Sequence, residues 1–169
     1  PGETKVIYLE LKLIADVGLV GYPNVGKSTY LSKVTRANAQ IGDYAFTTLE
    51  PQLGVCYLNP DKYFVIADLP GLIEGASQGK GLGYTFLRHI ERCRVLLHIV
   101  DLKRSEDPYQ DFVNINNELF HYRSDLLNRK MVIALNKIDE DIPQEVIDSF
   151  KEKVKDKFDV YEISAKEGK

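Results

Sequence analysis

Apolar positions along the chain recur in two alternating rhythms. Residues 6–13 alternate apolar and polar side chains, as a half-buried strand does, and residues 15–20 form a short apolar run ending at Gly21. Residues 27–35 suit a helix. Residues 55–58 and 63–67 flank Asn59-Pro60-Asp61, whose proline and Asx side chains favour a tight turn, so these two strands are expected to run antiparallel. Residues 71–83 are rich in glycine and small side chains and predict a loop, residues 83–92 a helix, and residues 95–100 a buried strand. Asp107-Pro108 reads as an N-cap and first helical residue. From there Phe112, Ile115, Leu119, Tyr122 and Leu126 recur at steps of three and four on one helix face. Residues 131–135 predict another buried strand. Pro143 opens a helix with Val146, Phe150 and Val154 on one side, and residues 160–163 form a last strand.

Strands alternating with helical spacers imply an α/β fold. The expectation is a mostly parallel sheet with helices on both faces, a three-layer sandwich. In such sheets ligands sit beyond the carboxyl ends of the strands.

Composition narrows this only slightly. A length of 169 residues with 44% hydrophobic and 28% charged residues is that of one folded domain. A net charge of −3 gives no overall attraction to nucleic acid or anionic membranes. The longest apolar runs are far too short to span a bilayer. Cys56 and Cys93 sit in unrelated contexts and read as reduced thiols of a cytoplasmic protein.

The candidate chemistry begins at each expected strand end. Gly21-Tyr22-Pro23-Asn24-Val25-Gly26-Lys27-Ser28-Thr29 fits the phosphate-loop pattern GxxxxGK[ST] between a strand and a helix. Its glycines let the backbone approach phosphate, and the helix N-terminus supplies positive potential. Lys27 can reach the β- and γ-phosphates, and the Ser28 hydroxyl can ligate magnesium. Asp68-Leu69-Pro70-Gly71 follows another strand; Asp68 can hold the magnesium and the Gly71 N–H can meet the γ-phosphate. Between them, in Tyr44-Ala45-Phe46-Thr47-Thr48, a threonine can close over the metal when GTP is bound, and Thr48 is the favoured one.

Asn136-Lys137-Ile138-Asp139 supplies the base chemistry. The Asp139 carboxylate can accept both N1–H and N2–H of guanine, a donor pair adenine lacks, so it selects GTP over ATP. Asn136 either braces the phosphate loop or contacts the base, and the Lys137 stem covers the ring. Ser164-Ala165-Lys166 closes the pocket through a backbone N–H to the guanine oxygen. His89, His98 and His121 lie in regular elements without metal-ligand spacing and are read as structural.

In this order the motifs resemble a P-loop NTPase of the Ras-like GTPase class. More closely, GYPNVGKST, YAFTTLEPQLGV, DLPGLIEGA, GLGYTFLRHIERCRVLLHIVD and NKID resemble the Obg (CgtA) family over nearly the whole chain. That resemblance implies a cytoplasmic, magnesium-dependent GTPase cycling between GTP and GDP. It also implies a role in large ribosomal subunit maturation and in stress signalling through guanosine tetraphosphate. It further implies that residues 1–14 are a junction from an N-terminal domain and that residues 15–169 are a monomeric G domain lacking its closing helix. Where Ras-like enzymes carry a water-orienting glutamine this chain has Leu72, which predicts slow turnover. Glu74 reads as a solvated loop carboxylate and Arg36 as a helix C-terminal cation. Asn24 either shapes its loop or, as in similar GTPases, ligates potassium, which would then be a second cation beside magnesium. The alternative to a hydrolytic switch is a sensor of GDP or guanosine tetraphosphate with negligible hydrolysis.

Overall fold

The structure, a computed structural model, describes residues 2, 4–6, 13–35, 40–41, 51–69 and 89–169. Among the described residues seven strands form one sheet: β1 (Ala15–Val20), β2 (Gln40–Ile41), β3 (Gln52–Asn59), β4 (Lys62–Asp68), β5 (Cys93–Asp101), β6 (Met131–Asn136) and β7 (Asp159–Ile163). Their order is β2-β3-β4-β1-β5-β6-β7. β1 pairs parallel with β4 and β5, and β6 pairs parallel with β5 and β7, while β3 runs antiparallel to both β2 and β4. The sheet is therefore mostly parallel, and the hairpin around Asn59-Pro60-Asp61 forms as its turn chemistry requires.

Register brings the strand ends to one rim. Leu19 lies opposite Asp68, Val20 opposite His98, Asp101 opposite Asn136, and Asn136 opposite Ile163. The chain leaves β1 toward β3 and β4 on one side, and leaves β5 toward β6 on the other. The β1/β5 boundary is thus the point where connections diverge, which is where a parallel sheet opens a ligand crevice.

Three helices and a short 3-10 turn are described: α1 (Lys27–Val34), α2 (Pro108–Tyr122), the 3-10 turn Ser124–Asn128, and α3 (Gln144–Val154). Asp107 caps α2 by accepting the Gln110 N–H, with Pro108 at the start, as its sequence predicts. Phe112, Ile115 and Leu119 are buried on one face of α2, while Leu126 is buried from the 3-10 turn rather than from a continuing helix. The face of α3 differs from the expected one. Ile147, Phe150 and Val154 are buried, whereas Val146 is half-buried and lines a cavity of about 320 Å3 beside the first turn of α2. Two steps of four residues drift about 80° around a helix, while a three and a four return within about 20°, so Ile147 and not Val146 stays on the core side. Thr35, expected inside α1, is its extended C-cap and bonds back to the Leu31 carbonyl through both N–H and hydroxyl. Most of the strand expected over residues 6–13 and of the helix over 83–92 lies outside the described residues; His89 and Ile90 are helical.

An aromatic cluster joins these layers. The Phe112 ring stands 5.0 Å from His98 on β5, 5.7 Å from Phe150 on α3 and 5.5 Å from Phe158, with tilted or edge-on geometries.

Candidate functional site

The phosphate loop begins where β1 ends. Gly21 lies against β5 so closely that a side-chain carbon there would stand 2.5 Å from the Ile99 carbonyl oxygen. Gly26, at φ 103°, is the N-cap of α1, and a side chain there would run into the Asn136 amide. Asn24 adopts a left-handed φ of 63°, which asparagine tolerates better than most residues. Pro23, Asn24, Ser28 and Thr29 are exposed on the loop surface. Tyr22 and Val25 are buried, as is Leu69 after β4, so these three contribute side chains to the core and only backbone to a ligand. Their burial fits a loop that meets phosphate through its backbone N–H groups.

Two charged groups converge beneath the loop. The Lys27 ammonium donates to the Tyr22 carbonyl at 2.9 Å and the Gly21 carbonyl at 3.3 Å, and burial holds it below the ordinary lysine value against the pull of Asp68. The Ser28 hydroxyl donates to the Asp68 carboxylate. Burial raises Asp68 above the usual carboxylate range, with Ser28 and Lys27 working the other way. Two of the three side chains expected to face a magnesium ion, Ser28 and Asp68, forty positions apart, are therefore in contact; the third, Thr48, lies outside the described residues.

The base motif is assembled around Asn136, which is almost fully buried. Its Nδ2 donates to the Val25 carbonyl at 2.8 Å and its Oδ1 accepts the Ala165 N–H at 2.9 Å. Of the two roles open to Asn136 in the sequence, bracing the loops is the one the geometry displays. Within the Ser164-Ala165-Lys166 stretch, the Ala165 N–H is the one that donates to this brace. Lys137 takes a left-handed φ of 74° and pairs with Asp101 at 2.6 Å. Asp101 also accepts the Lys103 N–H at 2.9 Å. Asp139 is exposed, and a hydrogen bond from the buried Ser164 hydroxyl holds it below the ordinary carboxylate range, keeping it ionised as an acceptor. Lys166 is exposed beside it.

Sequence reasoning missed Asp101 and its pairing with Lys137. The available signal was an acidic residue ending the apolar run of β5, the last residue of the GLGYTFLRHIERCRVLLHIVD stretch, to which no role was attached. Phe46, Thr47, Thr48, Pro70, Gly71, Leu72, Glu74 and Arg36 lie outside the described residues. Among the described residues no helix is long and apolar enough to cross a membrane.

Among the described residues no group of histidine, cysteine and carboxylate side chains could hold a metal ion. His98 is buried on β5 with Nδ1 unpartnered, and burial, then the Lys27 charge, pushes it down to about 3. His89, buried with both ring nitrogens unpartnered, is pushed down to about 4 by burial and then by Arg92. An unfolded histidine titrates near ~6.5, so below that pH the unfolded chain takes up protons the fold refuses, and stability falls as pH falls. The loss runs at roughly 1.4 kcal/mol per pH unit for each such histidine, continuing toward its folded value. Urea unfolding of the nucleotide-free chain is expected to show a loss of about 1.6 kcal/mol from His98 between pH 6.5 and 5. His98→Leu should flatten that slope; an unaltered slope would assign the acid lability to other groups.

Comparison with known proteins agrees with this geometry. A family model described as 50S ribosome-binding GTPase matches residues 16–137. GTPase Obg of Oceanobacillus iheyensis is 56% identical over 167 residues, and GTPase Obg of Bacillus licheniformis 53% identical over 167 residues. Each alignment covers 98% of this chain and 39% of the relative, so the chain spans well under half the length of these curated proteins. Among solved structures, Aquifex aeolicus Era bound to GDP·AlF4− matches with a TM-score of 0.67 at 26% identity, covering 91% of this chain and 52% of that one. Era in complex with MgGDPNP and a segment of 16S ribosomal RNA matches at 0.64 and 27% identity, covering 90% and 51%. The S. thermophilus NFeoB structure bound to GDP, at 21% identity and a TM-score of 0.65 over 90% of this chain and 56% of that one, shares the fold.

Proposed function

This chain belongs to the family of 50S ribosome-binding GTPases, and from that premise we propose that it is a magnesium-dependent guanine-nucleotide switch that hydrolyses GTP slowly to GDP and phosphate. The observation that carries the reading is Asn136, whose one side chain ties the phosphate loop to the base turn. A generic phosphate-binding loop has no need of such a tie; a nucleotide site that reads both phosphate and base does.

The roles follow from position. The backbone of residues 21–29 and the N-terminus of α1 receive the phosphates, and the Lys27 ammonium, held by the Gly21 and Tyr22 carbonyls, has a third N–H to offer to phosphate oxygens. Ser28 and Asp68 would hold the magnesium ion, and their donor set suits it: a hydroxyl bonded to a buried carboxylate, with only oxygens presented. When bound, the ion neutralises charge on the β- and γ-phosphate oxygens. By their motifs, Thr48 and Gly71 are assigned to the γ-phosphate, together with their sequence neighbours Phe46, Thr47 and Pro70. Asp139, aimed by Ser164, accepts the guanine N1–H and N2–H, and the Lys137 stem, held by Asp101, covers the ring. With Leu72 unable to orient water, hydrolysis rests on electrostatic stabilisation by Lys27 and backbone N–H groups. Potassium held by Asn24 would supply a further positive charge; equal turnover in sodium and in potassium would remove it from the mechanism. The large ribosomal subunit is the partner that the family description suggests, in a cytoplasmic setting.

Calorimetry with GDP, a GTP analogue and ATP, each with magnesium, tests the reading on this chain and on Asp139→Ala. Guanine nucleotides are expected to bind far more tightly than ATP. Asp139→Ala should reduce that preference by about a hundredfold, the loss of two charge-assisted hydrogen bonds. Equal binding of ATP by the unaltered chain would sink the proposal. The second reading, a sensor of GDP or guanosine tetraphosphate, is favoured by Leu72 alone. Phosphate release in a single turnover, with potassium present, excludes it; none over hours adopts it.

A further inference from the structure

The phosphate-loop pattern makes no use of Arg104, in the loop after β5, yet the fold builds that residue onto Tyr22. The Arg104 guanidinium carbon lies 3.7 Å from the centroid of the Tyr22 ring. Its Nη1 donates to Asp111 Oδ2 at 2.9 Å, and the Ser105 hydroxyl donates to the same oxygen at 2.9 Å. Asp111 stands in the first turn of α2, where a carboxylate also faces the positive end of the helix. The Arg104 N–H points to the Asp101 carbonyl at 3.4 Å, so the arginine is held at backbone and side chain alike.

Tyr22 is only 9% exposed although it sits in a glycine-rich loop. Tyr22 shares with Val25, His98, Phe112, Arg104 and Asp111 the wall of a pocket of about 10 Å3, room for no more than one water molecule. The ring is therefore closely packed, with Arg104 as part of that packing. The Tyr22 backbone carbonyl, meanwhile, is one of the two that accept the Lys27 ammonium.

We propose that Arg104, braced by Asp111 and Ser105, is a positioning residue for the phosphate loop: it pins the Tyr22 ring and thereby fixes the carbonyl that steers Lys27. Arg104 does not touch the nucleotide. It acts through the aromatic ring, one residue into the loop, and it joins α2 to the phosphate site mechanically. The inference rests on the guanine-nucleotide reading above. Because the pinned carbonyl serves GDP and GTP alike, loss of the pin weakens both nucleotides together. Because Lys27 also meets charge that develops during phosphoryl transfer, turnover falls as well.

The test is a double-mutant cycle on dissociation constants for GDP and a GTP analogue, with single-turnover rates alongside. Arg104→Ala is expected to weaken both nucleotides by about threefold to thirtyfold, the range of a cation–π contact at a half-covered site. Arg104→Lys should recover part of this, since an ammonium can sit over the ring but cannot stack flat and pair with Asp111 together. Tyr22→Leu should match Arg104→Ala, and the double variant should be no worse than Tyr22→Leu alone. Melting of the nucleotide-free Arg104→Ala chain within a few degrees of the unaltered one separates positioning from loss of fold. Arg104→Ala binding and turning over as the unaltered chain does, or strictly additive effects in the double variant, would overturn the proposal while leaving the nucleotide reading intact. An unaltered chain that binds no guanine nucleotide would overturn both.

Discussion

Replacing Asn136 with alanine is expected to destabilise the nucleotide-free chain by about 2–6 kcal/mol, before any nucleotide is added. The amide is buried and has two partners, the Val25 carbonyl and the Ala165 N–H. Alanine satisfies neither. Each backbone group left unpaired in the interior costs roughly 1–3 kcal/mol, which fixes the range. The same change disconnects the loop after β1 from the turn after β7, so guanine-nucleotide affinity should fall with stability. Urea unfolding without nucleotide is the deciding measurement. A residue whose task was to touch the base would lose affinity and keep its unfolding free energy; a brace loses both. Asn136→Asp should be no better than alanine, because its carboxylate keeps the bond from Ala165 but faces the Val25 carbonyl with no proton to offer.

Phe112→Ala is expected to be of similar size for a different reason. Phe112 is 4% exposed, and its ring is shared by β5 through His98, by α2 through Tyr109, by α3 through Phe150, and by Phe158 before β7. Truncating a buried phenylalanine costs about 3–5 kcal/mol in lost burial and residual cavity. A domain of this kind holds roughly 5–15 kcal/mol in total, so the change removes a large fraction of it. Melting should drop by about 6–20 °C, at ~2–4 °C per kcal/mol for this size range. Phe112→Leu, which refills most of the volume, should lose much less. A drop of only a degree or two for the alanine variant would show that α2 and α3 are held to the sheet elsewhere.

The two changes probe different layers of one design. Phe112 fastens the helices that frame the rim, and Asn136 fastens the loops that stand on it. The parallel strands between them carry the register that places Asp101 beside Asn136 and Asn136 beside Ile163. At the phosphate and base loops, side-chain ties from Ser28 to Asp68, from Asn136 to Val25 and Ala165, and from Lys137 to Asp101 add to the strand ladder.

The sequence by itself determined the elements and the inventory of chemistry. Strand positions at 15–20 and 131–135, the capped start of α2 and the antiparallel hairpin follow from periodicity and turn residues, which are local properties. The phosphate loop, Asp68 and the Asn136–Asp139 stretch are also readable, since contiguous motifs specify residue types at fixed offsets. The tertiary structure decided which of these groups meet. Asn136 reaches a carbonyl 111 positions away, Ser28 a carboxylate 40 away, and Lys137 is paired by Asp101, an aspartate to which the sequence attached no role. Such pairings depend on strand order and register, which place β1 between β4 and β5; periodicity says that a strand exists, not which strand lies beside it. The same limit explains Val146, where a one-residue rotation of a helix moved a valine from the expected core to a cavity wall. It also explains Tyr22, read as a loop residue near a ligand and found buried under Arg104, because only packing in three dimensions determines where an aromatic ring in a glycine-rich loop can lie.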